Sequence, residues 1–121
     1  MAGFWRKLIK SAVEDHEYGE LNKAEETDLK SAGHVRRHYV ITGRVQEVGF
    51  RYTAFYIAEE LHLSGWVSNL DDGRVEMELQ GLPETIDMLF LRLNGNGRIR
   101  IDSIEEEECA LKNPAGFRVR G

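Results

Sequence analysis

Arg37-His38-Tyr39-Val40-Ile41-Thr42-Gly43-Arg44-Val45 runs through Gln46-Glu47-Val48-Gly49 into Phe50-Arg51, and this stretch decides the fold. Its first part is rich in β-branched and aromatic side chains and predicts a strand over 37–45. From Phe50 the period changes. Phe50, Ala54, Ile57, Ala58 and Leu61 recur at i, i+4, i+7, i+8 and i+11, which predicts a helix over about 50–62. A strand entering a helix through a short Gly-containing loop opens a βαβ unit, and the loop has a chemistry of its own. Backbone N–H groups in such a loop, with the positive end of a helix, make a concave site suited to phosphate. Arg51 adds a planar fork able to grip two phosphate oxygens at once.

Working outward, Gly65-Trp66-Val67-Ser68-Asn69-Leu70 predicts a second strand, and Asp71-Asp72-Gly73 a hairpin turn. Val75, Met77 and Leu79 then alternate with Arg74, Glu76, Glu78 and Gln80, the pattern of a half-buried third strand with its charged residues toward solvent. Pro83 opens a second helix whose apolar face is Ile86, Leu89, Phe90 and Leu93, and Asn94-Gly95-Asn96-Gly97 ends it. Ile99 and Ile101 begin a fourth strand running toward Glu105, with a bulge expected at Ser103-Ile104. The charge run Glu105–Glu108 reads as its solvated end. Asn113-Pro114-Ala115-Gly116 is a turn before a short closing strand, Phe117–Arg120.

The order βαββαβ plus a short C-terminal strand predicts an α+β fold, the ferredoxin-like split β-α-β arrangement. Its antiparallel sheet carries two helices on one face. In that arrangement the first and second strands run in the same direction and end at the same edge of the sheet. Loop 46–50 follows the first strand and Asn69 ends the second, so Arg51 and Asn69, eighteen residues apart in sequence, should meet in one site. Asn69 also suits an Asx-turn entering the Asp71-Asp72-Gly73 hairpin.

Val-Gln-x-Val-x-Phe-Arg (45–51) followed by Gly-Trp-Val-x-Asn (65–69) resembles the acylphosphatase family. The resemblance covers about residues 36–121 and extends to Asp72-Gly73-Arg74-Val75-Glu76 and to Gly81 before the second helix. It implies hydrolysis of acyl phosphates to carboxylate and inorganic phosphate, with no metal and no organic cofactor. On that mapping the loop N–H groups of Gln46, Glu47, Val48, Gly49 and Phe50, with the Arg51 guanidinium, hold the phosphate, and Asn69 orients the attacking water. The carboxylate is a good leaving group and a substrate phosphate oxygen takes the water's proton, so no protein general base is needed. Positioning and electrostatic stabilisation would supply the catalysis.

The chain departs from the family pattern at Glu47, where glycine is usual. A left-handed backbone there would strain a non-glycine residue by roughly 1–2 kcal/mol. A carboxylate about 6 Å from the phosphate would add on the order of 2–3 kcal/mol of repulsion at an effective dielectric near 20, and less in solvent. The alternative expectation is therefore a catalytically weakened, acylphosphatase-like domain that binds an anion or a protein.

At 121 residues the chain can bury one core. A net charge of −5 speaks against a nucleic-acid partner, whose affinity would rest on phosphate neutralisation. A third strand presenting Arg74, Glu76 and Glu78 in place of stacking aromatics speaks against RNA. No apolar run approaches the roughly 18 residues of a membrane span. With one cysteine, Cys109, and no secretory signal, a cytoplasmic setting is expected. A monomer is expected too. His16, His34, His38 and His62 lack metal-ligand spacing, and Cys109 lacks a partner histidine.

Residues 1–35 read as an N-terminal extension, largely flexible, in which Trp5, Leu8, Ile9, Ala12 and Val13 form one apolar stripe at helical spacing. The stripe would suit a short amphipathic helix, docked on a partner, a membrane surface or the domain itself. Residues 36–121 are the expected acylphosphatase-like domain.

Overall fold

A computed structural model of the chain describes residues 20–121; the apolar stripe of residues 5–13 lies outside them. The first element among the described residues is a helix, α1 (Lys23–Ser31), capped by the Asn22 side chain, which accepts from the Glu25 N–H at 2.8 Å. It buries none of its residues. Then follow β1 (Val35–Arg44), α2 (Phe50–Glu60), β2 (Ser64–Asn69), β3 (Val75–Gly81), α3 (Pro83–Asn94), β4 (Arg100–Cys109) and β5 (Phe117–Arg120). The expected βαββαβ order with a closing strand is therefore present, and α2 ends within two residues of the predicted limit.

The strands form one sheet in the order β4-β1-β3-β2-β5. β1 and β2 are both antiparallel to β3, which lies between them, so they run the same way, as a split β-α-β unit requires. β5 joins the outer side of β2 in parallel, which makes the sheet mixed. Tyr39, Ile41, Val67, Val75, Met77 and Leu79 point from one sheet face into a core closed by Phe50, Ala54 and Ile57 of α2 and Ile86, Leu89 and Leu93 of α3. The 3.6 and 2.0 periods of the sequence meet on this face. At Gly65 a Cβ would lie 1.8 Å from the Glu78 carbonyl oxygen, so only glycine fits.

The bulge is found close to its expected place. Thr42 pairs with Ser103 but Gly43 pairs with Ile101, which leaves Asp102 as the extra residue of β4. Beyond it β4 does not stop at Glu105. It pairs with β1 through Cys109, with Glu105–Glu108 exposed along the sheet edge, where charge discourages pairing with another chain.

The third strand differs from expectation. Every residue of β3 is buried, including Glu76, Glu78 and Gln80, which the alternating pattern assigned to solvent. The compensation comes from β1. In register Arg36 lies opposite Gln80 and His38 opposite Glu78, and each reaches one step along the strand. Arg36 Nε donates to Glu78, and Arg36 Nη1 donates to Gln80 Oε1 at 3.2 Å. His38 Nε2 lies 2.7 Å from Glu76 Oε2. Lys112, from the segment before β5, brings its ammonium within 3.3 Å of Glu78 and its backbone N–H to Gln80 at 2.9 Å. Burial alone would raise the Glu78 carboxyl, but Arg36, Lys112 and His38 outweigh it and hold the group below the usual carboxylate range.

Candidate active site

Loop 45–49 leaves the sheet between β1 and α2, and three apolar side chains fix it. Val45, Val48 and Phe50 are buried in the core, while Glu47 and Gly49 lie at the surface. Two residues take left-handed backbone to make this turn, Glu47 (φ 61) and Gly49 (φ 79). Gly49 is the N-cap of α2 and supplies no side-chain cap, so the first N–H groups of the helix are left to whatever lies in front of them. Among the described residues, none of the N–H groups of Gln46, Glu47, Val48, Gly49 and Phe50 donates to a protein acceptor. A run of free N–H groups at a helix N-terminus can receive an anion.

The loop is tied to the β2–β3 hairpin by a contact that spacing did not foretell. Gln46 Nε2 donates to the carbonyl oxygens of Leu70 at 2.7 Å and Arg74 at 2.9 Å. Those two residues close the hairpin, with the Leu70 N–H on the Arg74 carbonyl at 2.8 Å. The Gln46 side chain thus holds the loop to the residue next to Asn69.

Asn69 pairs with Val75, which in turn pairs with Ile41, so the end of β2 and the end of β1 share one edge of the sheet. Its Oδ1 is buried and finds no hydrogen-bond partner among the described residues. The Asx-turn role belongs instead to Asp72, whose Oδ1 accepts from the Arg74 N–H at 3.1 Å. Asn69 therefore keeps a desolvated acceptor at the mouth of the loop, a group that a bound water could satisfy.

Arg51, in the first turn of α2, is half-buried and donates from Nη1 to the Arg120 carbonyl oxygen at 3.3 Å. Arg120 pairs in register with Ser68, the neighbour of Asn69. The guanidinium is thereby placed at the Asn69 end of β2, and its other N–H groups make no hydrogen bond among the described residues. Sequence reasoning placed Arg51 and Asn69 together but missed Gln46 as a side-chain ligand of the hairpin. It also missed Arg120 as the carbonyl that fixes Arg51. The acylphosphatase family model matches residues 37–119.

The chain belongs to the acylphosphatase family. An acylphosphatase from Koribacter versatilis is 41% identical over 70% of this chain and 79% of the relative. One from Pseudomonas paraeruginosa is 45% identical over 69% and 92%. Among solved structures, an acylphosphatase from Coxiella burnetii superposes with a TM-score of 0.67 at 33% identity, covering 74% of this chain and 96% of that one. The acylphosphatase match takes in every residue of the candidate site, from Gln46 to Asn69, and most of β5, which fixes Arg51.

Within this acylphosphatase domain Glu47 is exposed. The backbone requirement foreseen for that position is met: it does adopt a left-handed conformation. The described residues contain no group of three or more His, Cys, Asp or Glu side chains able to hold a metal ion. None of their helices is long and apolar enough to cross a membrane.

Proposed function

We propose that loop 46–50, Arg51 and Asn69 carry out the hydrolysis of acyl phosphates to carboxylate and inorganic phosphate that is the activity of the family. In this reading the N–H groups of Gln46 to Phe50 and the Arg51 guanidinium receive the phosphate oxygens. The dipole of α2 adds to their field. Asn69 Oδ1 accepts a hydrogen bond from the attacking water and directs its lone pair at phosphorus. As the P–O bond to the carboxylate breaks, the electron pair leaves with the carboxylate, and a phosphate oxygen takes the proton from water. Charge on the equatorial oxygens of the transition state is met by donors already in place.

The observation that carries this reading is the buried, unpartnered Asn69 Oδ1 at the strand end to which Arg51 is fixed through Arg120. A pure anion binder would need the donors but not a desolvated acceptor. The exposed position of Glu47 favours catalysis over the alternative of a weakened binding domain. Arg51 and Asn69 are the catalytic residues of this proposal, with the protein acting as a cytoplasmic monomer.

The test is turnover of benzoyl phosphate by the wild type, Arg51→Ala and Asn69→Ala. Loss of about two to three orders of magnitude in kcat/KM is expected for either variant. Wild-type rates in both, with folding retained, would remove these residues from the chemistry.

A further inference from the structure

The end of the sheet remote from loop 46–50 sets two buried cations against one carboxylate. Arg36, Lys112 and Glu78 are each at most 5% exposed, and both cations converge on Glu78 Oε1. The next carboxylate along this face of β3, Glu76, is matched with His38 at 2.7 Å. The Arg36–Glu78–Lys112 group is left with one positive charge in excess, which burial makes costly unless a counter-charge is near. Its donors are not all used. Arg36 gives Nε to Glu78 and Nη1 to Gln80, and among the described residues Nη2 donates to no protein acceptor. Lys112 Nζ lies 3.3 Å from Glu78 but forms no hydrogen bond with the described residues. Ser64 of β2 and Arg36 of β1 both stand opposite Gln80 in register, so all three share one face of the sheet. The Ser64 hydroxyl also has no protein acceptor among the described residues.

Arg36, Ser64, Lys112 and Asn113 line one cavity, with about 10 Å³ of room for the centre of a water-sized sphere. That is space for a single monatomic occupant. We propose that this cavity is a binding site for a small inorganic monoanion of halide size, held by Arg36 Nη2 and the Ser64 hydroxyl beside the Lys112 charge. Charge-assisted bonds to the anion use donors that the protein leaves over. The anion also cancels the excess positive charge, which a water molecule cannot do. Along β1 the cavity is about 25 Å from the phosphate loop, so it is separate from the proposed catalytic centre. It sits where the chain turns toward β5. Lys112 is bonded to Gln80 through both backbone groups, its N–H donating to Oε1 at 2.9 Å and its carbonyl accepting from Nε2 at 2.8 Å. An anion seated there fastens the segment leading into the strand whose Arg120 carbonyl holds Arg51.

The test compares thermal unfolding of the full-length, phosphate-free protein in sodium chloride and in sodium gluconate at equal ionic strength. Screening is then the same in both salts, and only chloride is small enough for the cavity. Chloride should raise Tm by a few degrees, with a rise that saturates as concentration increases. Ser64→Ala keeps both charges and should weaken the apparent chloride affinity several-fold. Lys112→Met should abolish the chloride dependence, and Ser64→Ala carries the comparison if that variant does not fold. Arg51→Ala, which removes the guanidinium of the proposed catalytic centre, should retain the dependence in full. Equal Tm in the two salts would mean that water alone occupies the cavity, and overturns the proposal. A chloride dependence that is unchanged in Ser64→Ala and Lys112→Met overturns it too. So does one that disappears in Arg51→Ala, since the ion would then belong to the phosphate loop.

Discussion

Arg51 Nη1 donates to the Arg120 carbonyl oxygen at 3.3 Å, joining the first turn of α2 to the last strand of the sheet. The bond crosses 69 residues of sequence and occupies only part of the guanidinium's donor set. An arginine held this way loses little rotamer freedom when an anion arrives, because one arm is already fixed. β5 therefore contributes to the site through its backbone, although no β5 side chain belongs to the family motif.

Arg51→Lys separates charge from geometry. Lysine keeps the positive charge but lacks the fork that can hold Arg120 and phosphate together. We expect kcat/KM for benzoyl phosphate to fall by about 10²-fold or more, with thermal stability nearly unchanged. Near-wild-type turnover by the lysine variant would mean that point charge alone is enough.

For Asn69→Ala the expected loss is in kcat, with KM close to wild type, because the amide acts on water and not on the phosphate. Removing a buried acceptor that lacks a protein partner should not lower stability by more than about 1 kcal/mol. A rise in KM at constant kcat would move Asn69 from the water to the ground-state phosphate.

Glu47 combines left-handed backbone, φ 61, with an exposed carboxylate at the mouth of the loop. Glu47→Gly relieves roughly 1–2 kcal/mol of strain but frees the unfolded chain by about 0.4–1 kcal/mol, so stability should rise only slightly. The charge effect is read in KM. At about 6 Å the repulsion is roughly 0.7 kcal/mol in bulk-like water, a threefold change or somewhat more. Glu47→Gln should give the same drop in KM without the gain in stability, and the drop should shrink in high salt. An unaltered KM in both variants would show that the carboxylate is remote from the bound anion.

Gln46→Ala removes two hydrogen bonds between the loop and the hairpin, at 2.7 and 2.9 Å. We expect a loss of about 1–3 kcal/mol in urea unfolding and a fall in kcat as the loop and Asn69 lose their common anchor. Gln46→Glu should be worse, since its carboxylate would face two carbonyl oxygens. Equal behaviour of the two variants would contradict this role.

The Arg36–Glu78 pair is buried on both sides, so removing one partner strands a charge. Arg36→Met should cost about 3–5 kcal/mol, and adding Glu78→Leu should recover much of it. The Glu78 carboxyl is held below its ordinary 4.5 in the folded protein. The unfolded chain therefore binds that proton more readily. The stabilisation is complete above the unfolded value and is lost as pH falls through the folded one. Urea unfolding of the wild type from neutral pH into acid should show this loss, and Glu78→Gln should flatten it. An acid dependence identical in the two proteins would exclude Glu78 as its source.

The sequence by itself determined the βαββαβ order with its closing strand, the limits of α2 and α3 to within a residue or two, and the placing of β1 and β2 so that both end at one edge of the sheet. Each follows from local information: the change of period at Phe50, the Pro83 start, the Asp71-Asp72-Gly73 turn, and the direction that a split β-α-β unit imposes on its two parallel strands. Tertiary structure alone decided the burial of Glu76, Glu78 and Gln80. Alternation assigns charged residues to water unless their partners are known, and here Arg36 arrives from 42 residues away. It also decided the parallel pairing of β5, the reach of Gln46 to Leu70 and Arg74, and the grip of Arg120 on Arg51. These depend on which groups a register brings within about 3 Å of one another, and no pattern along a single strand encodes that distance.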